Sequence, residues 1–381
     1  MTLRILTVSD VYFPRVNGVS TSIETFRQVL TEHGVTMQLV VPRYGDEVEQ
    51  AGIVRVGART LPRDPEDRLL AWGETRRTVL SEAMDCDLIH IQTPFVAHYA
   101  GLKAARRLAK PVLATYHTLF EKYLSHYAPF LPEEWLRGAA RRFSRTQCND
   151  LDTVIVPSTA MRDRLTEYGV TVPIHILPTG IPLSRFAQGD RARFRELHRI
   201  PETQPVALFV GRVAHEKNIA FLIDAVAEAC RTVPELLFLI TGEGPAEKAL
   251  RRQAETLGIA AKVRFLGYMD RQHELPDCYA AADVFIFASR TETQGLVLLE
   301  AMAMGLPVVA LAAMGTKDIL GPGRGSIAPP DDVTEFAAAI NRMIQDQVLR
   351  QRLSVEAREY ALEWADDRMA GRLAALYRSL S

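Results

Sequence analysis

DVFIFASRTETQGLVLLEAMAMGLP, residues 283–307, joins an apolar strand to an apolar helix through a short polar turn that contains glycine. The run 284–288 has the length and composition of a buried parallel strand, and the pattern predicts a helix from about Gly295. Two carboxylates stand eight positions apart across this turn, Glu292 within it and Glu300 inside the helix. On its own, such a pair is better explained as a helix cap followed by a solvated helical glutamate.

The turn between this strand and its helix is a suitable place for an anionic or polyhydroxylated ligand. The first N–H groups of a helix have no partner within the helix and point at whatever lies above them. We expect Glu292 at the mouth of this cradle, where a polyol can hydrogen-bond it. We expect Glu300 deeper, where its carboxylate can accept hydrogen bonds from two vicinal hydroxyls such as those of a ribose.

A second strand–turn–helix unit lies upstream, where residues 206–218 read VALFVGRVAHEKN. The first five residues predict a buried strand, and an apolar helical pattern follows over 219–229. Arg212 and Lys217 therefore leave the turn beside another helix N-terminus. A planar guanidinium and a compact ammonium together suit a diphosphate, and the alternative is a basic solvated loop.

Short apolar runs alternate with amphipathic helical patterns along the whole chain. They fall into two series, 3–8, 37–41, 88–91, 112–116, 153–156 and 174–177, then 206–210, 236–241, 263–266, 284–288 and 308–311. Such alternation predicts parallel sheets covered by helices on both faces. The fold class is therefore α/β with two doubly wound, Rossmann-like domains, and the proline- and glycine-rich segment 177–185 is a plausible hinge between them.

Composition excludes several classes of protein. The chain has 381 residues, with 45 basic and 46 acidic side chains, so its net charge of -1 gives no field that attracts nucleic acid. The four cysteines, Cys86, Cys148, Cys230 and Cys278, have neither metal-binding nor disulfide-framework spacing, which indicates reduced structural thiols in the cytoplasm. The start of the chain reads as a first strand and no run approaches 18 apolar residues, so any membrane contact is expected to be peripheral.

The two motifs, in this order and at this spacing, resemble the C-terminal half of the retaining, two-domain (GT-B) glycosyltransferases of family four. The resemblance implies that Arg212 and Lys217 hold the diphosphate of a nucleotide-sugar donor. It implies that the donor sugar and ribose contact the second motif, through Glu292, Gly295, Leu296 and Glu300. It also implies that the two domains face each other across a cleft and that the last helix crosses back, which gives domains of 1–184 plus 362–381 and of 185–361.

The N-terminal half carries two further candidate segments after predicted strands. Asn17-Gly18 makes a tight turn, and we expect Gly18 in a loop over the donor phosphates, with Ser20, Thr21 or Ser22 capping the next helix; a plain strand–helix connection is the alternative. His117 follows the strand 112–116, and the resemblance assigns it a contact with the donor sugar and the developing charge. Tyr123 is expected on the acceptor side.

Two smaller turns complete the expected donor site, and one turn departs from the family pattern. Gly242 lies in a glycine turn for phosphate or base, and Tyr268 lies where relatives present backbone groups to the base; ordinary βα turns are the alternative. Residues 313–318 read AMGTKD where many members have two glycines followed by glutamate. This departure leaves open how the turn closes over the sugar and which hexose fits.

We therefore expect a hexosyltransferase that uses a nucleotide-diphosphate sugar, with UDP-glucose as the working donor and the choice between UDP and GDP open. Arg212 and Lys217 take the place of a metal, so no metal or other cofactor is expected, and Glu292 and His117 join them as catalytic residues. The alternatives from other classes are a nucleotide-sugar epimerase, a phosphorylase and a sugar-nucleotide-binding regulator.

The acceptor is expected to be a membrane glycolipid precursor. Residues 101–147 hold nine basic and three acidic side chains, and helical spacing predicts an amphipathic helix with Trp135 at its edge and a basic side. That side carries Arg137, Arg141, Arg142 and Arg145. Such a helix can lie on the anionic inner face of the cytoplasmic membrane, or its apolar side can simply pack on the sheet. The sequences of residues 14–23 and 291–296 resemble the corresponding motifs of diacylglycerol glucosyltransferases. A cell-envelope polysaccharide or polyprenyl-linked precursor is the alternative acceptor.

Overall fold

The computed structural model describes residues 2–61, 64–117, 133–271 and 273–381. The chain forms two compact units. Unit 1 comprises Met1–Gly180 and Asp366–Ser381, and unit 2 comprises Ile181–Ala365. The chain therefore leaves unit 1 at Gly180 and returns to it with its last helix.

Unit 1 is built on a parallel sheet with the strand order β3-β2-β1-β6-β7-β8-β9 and a separate antiparallel hairpin, β4-β5. Strands such as β6 and β8 are buried along their whole length, which explains why they are apolar except for His90 and Thr153. The described strands are β1 (Leu3–Val8), β2 (Val35–Pro42), β3 (Ile53–Val56), β4 (Ala58–Leu61), β5 (Asp64–Leu70), β6 (Leu88–Ile91), β7 (Val112–Thr115), β8 (Thr153–Val156) and β9 (Ile174–Ile176).

Helices cover the sheet of unit 1, and the C-terminal helix is one of them. Met369, Leu373 and Tyr377 of this helix are buried in one core cluster with Phe26 and Leu30. Each such burial contributes about 1.5–3 kcal/mol, so this helix is an integral part of unit 1. Numbered along the whole chain, the helices of unit 1 are α1 (Gly18–Val29), α2 (Trp72–Ala83), α3 (Val96–Leu108), α4 (Glu133–Asn149), α5 (Thr159–Glu167) and α14 (Asp366–Leu380).

Unit 2 has a parallel sheet with the strand order β12-β11-β10-β13-β14-β15. Its strands are β10 (Val206–Val210), β11 (Leu237–Thr241), β12 (Val263–Gly267), β13 (Val284–Phe287), β14 (Val308–Ala310) and β15 (Ser326–Ile327). The helices are α6 (Arg191–Leu197), α7 (Ile219–Ala229), α8 (Glu247–Thr256), α9 (Glu274–Ala281), α10 (Leu296–Ala303), α11 (Thr316–Leu320), α12 (Val333–Gln345) and α13 (Gln347–Ala361). The two parallel α/β sheets confirm the predicted fold class.

The strand order determines where each unit can bind a ligand. In unit 2 the chain runs from β10 outward through β11 and β12, then returns to place β13 on the other side of β10. In unit 1 the same reversal occurs at β1, which lies between β2 and β6. Open parallel sheets bind ligands at such reversals, beyond the carboxyl ends of the strands. The turns after β10 and β13, and those after β1 and β6, are therefore the expected binding edges.

The four cysteines are all buried and unpaired, as their spacing predicts. Among the described residues, no helix combines the length and the apolar character that a bilayer span requires.

Candidate active site

The turn after β10 is held against the turn after β11. Val213 donates its backbone N–H to the Glu243 carbonyl at 2.9 Å, and Gly242 has a φ of 125°. A Cβ at Gly242 would lie 2.0 Å from the Gly211 carbonyl oxygen, so only glycine allows the two backbones to approach so closely. This approach fixes the start of the segment that carries Arg212. The Arg212 side chain is exposed, and it makes no hydrogen bond or ion pair with any described residue.

Lys217 and Glu292 form an ion pair that joins the turns after β10 and β13. The Lys217 Nζ donates to the Glu292 Oε2 at 2.6 Å, and both side chains are about one-fifth exposed. Lys217 ends a 3-10 turn over His215–Lys217 that leads into α7. Two motifs that are 75 positions apart in sequence therefore meet at the strand-order reversal of unit 2. The sequence identified both residues but did not predict their pairing.

The turn that departs from the family pattern packs directly on the Glu292 loop. Gly315 donates its backbone N–H to the Glu292 carbonyl at 2.9 Å. A Cβ at Gly315 would lie 2.0 Å from the Thr293 carbonyl oxygen, so a larger residue would push the two segments apart. The Thr316 hydroxyl closes the turn by donating to the Leu311 carbonyl at 3.0 Å. One glycine therefore suffices for the close approach, and Gly295 precedes α10 as expected.

Glu300 is buried on α10 and is fully engaged within unit 2. Its side chain is 3% exposed, its Oε1 accepts from Arg271, and its Oε2 accepts from the Tyr279 hydroxyl at 2.9 Å. The neighbouring Glu300 charge raises the pKa of Arg271, and burial raises the pKa of Tyr279. The simple alternative of a solvated helical glutamate is therefore wrong. Each carboxylate oxygen of Glu300 already accepts one hydrogen bond. A ligand hydroxyl must therefore approach the remaining lone pairs of these oxygens.

Arg271 and Tyr279 are site residues that the sequence did not reveal. They lie in the segment after β12 and in α9, in stretches that read as ordinary surface and core. Nearby, Tyr268 directly follows β12 and is 58% exposed. Leu296 is the first residue of α10. Tyr268 and Leu296 therefore lie at the same carboxyl edge of the unit 2 sheet as the Lys217–Glu292 pair, while Tyr279 is buried in the core.

In unit 1, the loop after β1 leads into α1 through a capping box. The Asn17 side chain accepts from the Ser20 N–H at 2.9 Å, and the Ser20 hydroxyl accepts from the Asn17 N–H at 2.9 Å. The expectation that a residue of 20–22 is the cap is therefore wrong, since Asn17 takes that role and Ser20 is its third-position partner. Ser22 instead accepts a hydrogen bond from Thr179. Space is open around Gly18, where an added Cβ meets nothing within 4 Å.

His117 lies just beyond β7 and is oriented by Gln92, the residue that follows β6. The His117 Nε2 and the Gln92 Oε1 are 2.8 Å apart. Burial lowers the pKa of His117 to about 4, so the imidazole is neutral at physiological pH. A neutral imidazole can exchange hydrogen bonds with a sugar but brings no positive charge to it.

His90 has a structural role beneath His117. Its Nδ1 lies 2.6 Å from the Tyr377 hydroxyl of α14, and its Nε2 lies 2.7 Å from the Thr115 hydroxyl. Burial lowers the pKa of His90 to about 3. Both ring nitrogens of His90 are therefore engaged, one by the Tyr377 phenol and the other by the Thr115 hydroxyl. This chain ties the C-terminal helix to the strand that ends beside His117.

Asp10 is a further buried polar residue at this edge, and sequence reasoning missed it. It follows β1 and accepts from the Thr93 hydroxyl at 2.7 Å and from the Ala97 N–H at 3.2 Å, at the start of α3. Burial raises the pKa of its carboxyl to about 6. A carboxylate is favoured at a helix N-terminus, so Asp10 ties the turn after β1 to α3.

The basic helix α4 has an arginine-rich exposed side, as predicted. Arg137, Arg141, Arg142 and Arg145 are all exposed, while Ala140, Ser144, Gln147 and Cys148 are buried against unit 1. Trp135 is 77% exposed, so it does not belong to the packed side. Arg141 lies over the Tyr168 ring at 5.7 Å. Tyr123, the residue expected on the acceptor side, lies outside the described residues.

Comparison with known proteins identifies the family. The family described as "Glycosyltransferase Family 4" matches residues 16–185, and the family described as "Glycosyl transferases group 1" matches residues 190–360. An alpha-monoglucosyldiacylglycerol synthase of Streptococcus pneumoniae is 33% identical over 317 residues, which cover 81% of this chain and 71% of that protein. The chain is a family 4 glycosyltransferase. Its enzyme class is thereby established as sugar transfer.

Another relative of this glycosyltransferase is named for GDP-mannose. A GDP-mannose-dependent alpha-mannosyltransferase of Mycobacterium tuberculosis is 29% identical over 371 residues and covers 94% of this chain and 92% of that protein. Among solved structures, Anabaena HepE in complex with UDP and glucose superimposes with a TM-score of 0.79 at 20% identity, covering 99% of this chain and 100% of that one. The structural likeness supports the GT-B fold of this glycosyltransferase and carries no further conclusion about its donor.

Proposed function

We propose that this glycosyltransferase moves a glucosyl group from UDP-glucose to diacylglycerol, with retention of the anomeric configuration and without a metal. The Lys217–Glu292 pair is the observation that carries the donor half of the proposal, because it unites a phosphate-binding cation with a sugar-binding carboxylate. The name of the S. pneumoniae relative, an alpha-monoglucosyldiacylglycerol synthase, supports the acceptor half. A reaction that takes an alpha-linked sugar from the nucleotide donor and gives an alpha-linked product retains the anomeric configuration.

The donor site follows from the charges and turns of unit 2. Arg212 has an unengaged guanidinium among the described residues and can bind a diphosphate in bidentate fashion. Lys217 adds a point charge, and the N–H groups at the starts of α7 and α10 add partial positive charge. Together these groups stabilise the departing diphosphate. In other transferases a metal ion has this role. Glu300, held by Arg271 and Tyr279, accepts hydrogen bonds from the ribose.

The reaction exchanges one bond at the anomeric carbon for another on the same face. The bond from C1 to the diphosphate oxygen breaks, the acceptor hydroxyl oxygen bonds to C1, and the hydroxyl proton moves to a phosphate oxygen. We assign neither glutamate as a covalent nucleophile: Glu292 is paired with Lys217, and Glu300 is buried between Arg271 and Tyr279 as the proposed ribose ligand. Glu292 and neutral His117 act through hydrogen bonds to the sugar.

We further propose that the enzyme works on the cytoplasmic face of the membrane, to which α4 binds through its arginines and Trp135. Each cation near an anionic surface contributes about 1 kcal/mol. The test is co-sedimentation with anionic and zwitterionic vesicles at low and high salt. Charge reversal of Arg137 and Arg142 should release the protein from anionic vesicles, while reversal of Arg76 and Arg77 on α2 should not. Salt-insensitive absence of binding by the unaltered protein would contradict the proposal.

Product analysis tests donor and acceptor together. Labelled UDP-glucose, UDP-galactose and GDP-mannose are each offered with diacylglycerol vesicles and with an extract of polyprenyl-linked precursors. The proposal expects label in monoglucosyldiacylglycerol from UDP-glucose. A second candidate, mannosyl transfer from GDP-mannose, is favoured by the M. tuberculosis relative, which spans nearly the whole chain. Labelled product from GDP-mannose alone would select that candidate, and label in the polyprenyl fraction alone would overturn the diacylglycerol acceptor.

A further inference from the structure

Unit 1 contains a cavity of about 730 Å³ on one face of its sheet. Its floor consists of Ile91, Ala114 and Val154, which lie in register on the adjacent strands β6, β7 and β8. Residues in register on parallel strands present their side chains to the same face. The floor is therefore a continuous aliphatic surface that crosses three strands.

The walls of the cavity are mostly apolar, although Arg68 and His98 also line it. Phe95 lies on the side of α3, and Ala139 and Phe143 lie on α4. Leu69 of the β4-β5 hairpin borders the cavity as well, and both Leu69 and Phe95 are about half exposed. Residues that line a cavity while remaining exposed mark its rim. Phe95 follows β6 closely, so the rim lies at the carboxyl edge of the sheet, on the same side as His117.

Most polar groups that line the cavity have partners within the protein; the buried Nε2 of His98 has none among the described residues. Asp10 accepts from Thr93 and from the start of α3, and Gln92 is bonded to His117. The Gln147 amide donates to the Pro94 carbonyl at 2.7 Å. A sugar or nucleotide needs several unengaged donors and acceptors, because each buried hydroxyl left without a partner costs about 1–3 kcal/mol. The cavity therefore suits a ligand that is mostly apolar and forms few hydrogen bonds.

We propose that this cavity holds an acyl chain of the acceptor lipid, with the glycerol hydroxyl at the carboxyl edge of the sheet beside His117. The inference rests on the proposed function and extends it by assigning a site to the hydrocarbon. The cavity is of the size that encloses small-molecule ligands, roughly 300–1,000 Å³. Its rim and its polar edge lie together, so a chain that enters past Phe95 leaves its polar end near the residues that follow β1, β6 and β7.

The test measures binding of soluble monoacylglycerols with hexanoyl, octanoyl and decanoyl chains, in the absence of donor and of vesicles. Affinity is measured by displacement of a fluorescent fatty acid. Each added methylene should tighten binding about fourfold, the equivalent of about 0.8 kcal/mol. A chain-length series without this trend in the unaltered protein would overturn the proposal.

Substitutions on α4 show where the chain binds. Ala139→Trp adds an aromatic ring from an exposed helix position that lines the cavity, so it should weaken decanoyl binding at least tenfold and flatten the chain-length trend. Gly138→Trp adds the same ring to the neighbouring position, where an added Cβ meets nothing within 4 Å, and should leave the trend intact. Hydrogen exchange of the backbone amides of β6, β7 and β8 should be unchanged in both variants and serves as the folding control for unit 1. Equal binding by the Ala139→Trp variant and the unaltered protein would overturn the assignment.

The same variants separate this proposal from the proposed function. Chain-dependent binding without sugar transfer to diacylglycerol would retain the alkyl site and overturn the diacylglycerol acceptor. Transfer to diacylglycerol with equal efficiency for dihexanoyl and dioleoyl forms, unaffected by Ala139→Trp, would retain the function and overturn the alkyl site.

Discussion

Removal of the Arg271 side chain should destabilise unit 2 and weaken donor binding, because both effects depend on the buried carboxylate of Glu300. Glu300 is 3% exposed and depends on Arg271 and Tyr279 for compensation of its charge. Removing one partner of a buried ion pair costs about 3–5 kcal/mol, because the other charge stays buried without compensation. Arg271 is one-quarter exposed, so Arg271→Met should lie at the lower end, about 3 kcal/mol. For a unit of this size that corresponds to a loss of roughly 6–12 °C in Tm.

The triple variant Arg271→Met, Tyr279→Phe and Glu300→Met is the matched control. It removes all three polar groups and leaves none buried without a partner, so it should recover stability to within about 1 kcal/mol of the unaltered protein. It should nevertheless bind UDP-glucose weakly, because hydrogen bonds to a carboxylate are worth about 1.5–3 kcal/mol, tenfold or more in Kd. Stability and donor affinity would thus separate in the same protein.

Fluorescence of Trp364 provides the stability assay. The chain has three tryptophans, of which Trp72 and Trp135 are in unit 1 and Trp364 is in unit 2. With the first two replaced by phenylalanine, urea unfolding followed by Trp364 emission reports on unit 2 alone. If the triple variant proved as unstable as Arg271→Met, the cost would lie in lost packing and not in the uncompensated charge. If the triple variant bound UDP-glucose like the unaltered protein, Glu300 would have no role in donor binding.

Three further predictions concern the donor cations, His117 and acid stability. Arg212→Ala and Lys217→Ala should each lower kcat by ~10²–10³, measured with saturating donor and acceptor, and unchanged kcat would exclude charge stabilisation of the leaving diphosphate. His117→Ala should lower kcat with little change in the Kd for UDP, and wild-type turnover would make His117 a purely structural residue. Burial lowers the pKa of His90 to about 3 and that of His117 to about 4, whereas the pKa of histidine in the unfolded chain is about 6.5. The stability that these two neutral histidines contribute is therefore present above pH 6.5 and is lost as the pH falls toward 4. Asp10, with its pKa raised to about 6, acts in the opposite direction and offsets part of this loss. The unfolding free energy of unit 1 should therefore fall from pH 6.5 to pH 4. His90→Gln should make this pH dependence shallower. An unfolding free energy of the unaltered protein that does not change with pH would contradict the assignment of neutral histidines.

Much of the fold could be predicted because its causes are local. Strands buried on both faces must be apolar throughout, and the turns that follow them carry polar or glycine residues, so β10, β13 and the segments after them are readable from sequence. The carboxyl-edge rule then brings Lys217 and Glu292 into one region. The structure adds that they are directly bonded, a detail of side-chain reach that spacing does not encode.

The features that sequence did not reveal depend on contacts between distant segments. Arg271 and Tyr279 reach Glu300 only through side-chain contacts across 29 and 21 positions of sequence, and Asp10 acquires its partners only when β6 lies beside β1. The cap of α1 was assigned wrongly because several candidate capping residues follow one another, and geometry selects Asn17. The cavity of unit 1 is likewise invisible in sequence, since Ala114 and Ala139 read as ordinary packing residues until the space between them is seen.

Anomeric analysis of the product in the presence of EDTA tests the central proposal most directly. The enzyme is supplied with carbon-13-labelled UDP-glucose and diacylglycerol vesicles in excess EDTA, and the glycolipid is examined by nuclear magnetic resonance at the anomeric carbon. The account predicts alpha-glucosyldiacylglycerol, formed at the same rate with and without the chelator. A beta-linked product, or transfer that stops in EDTA and returns with a divalent cation, would contradict it.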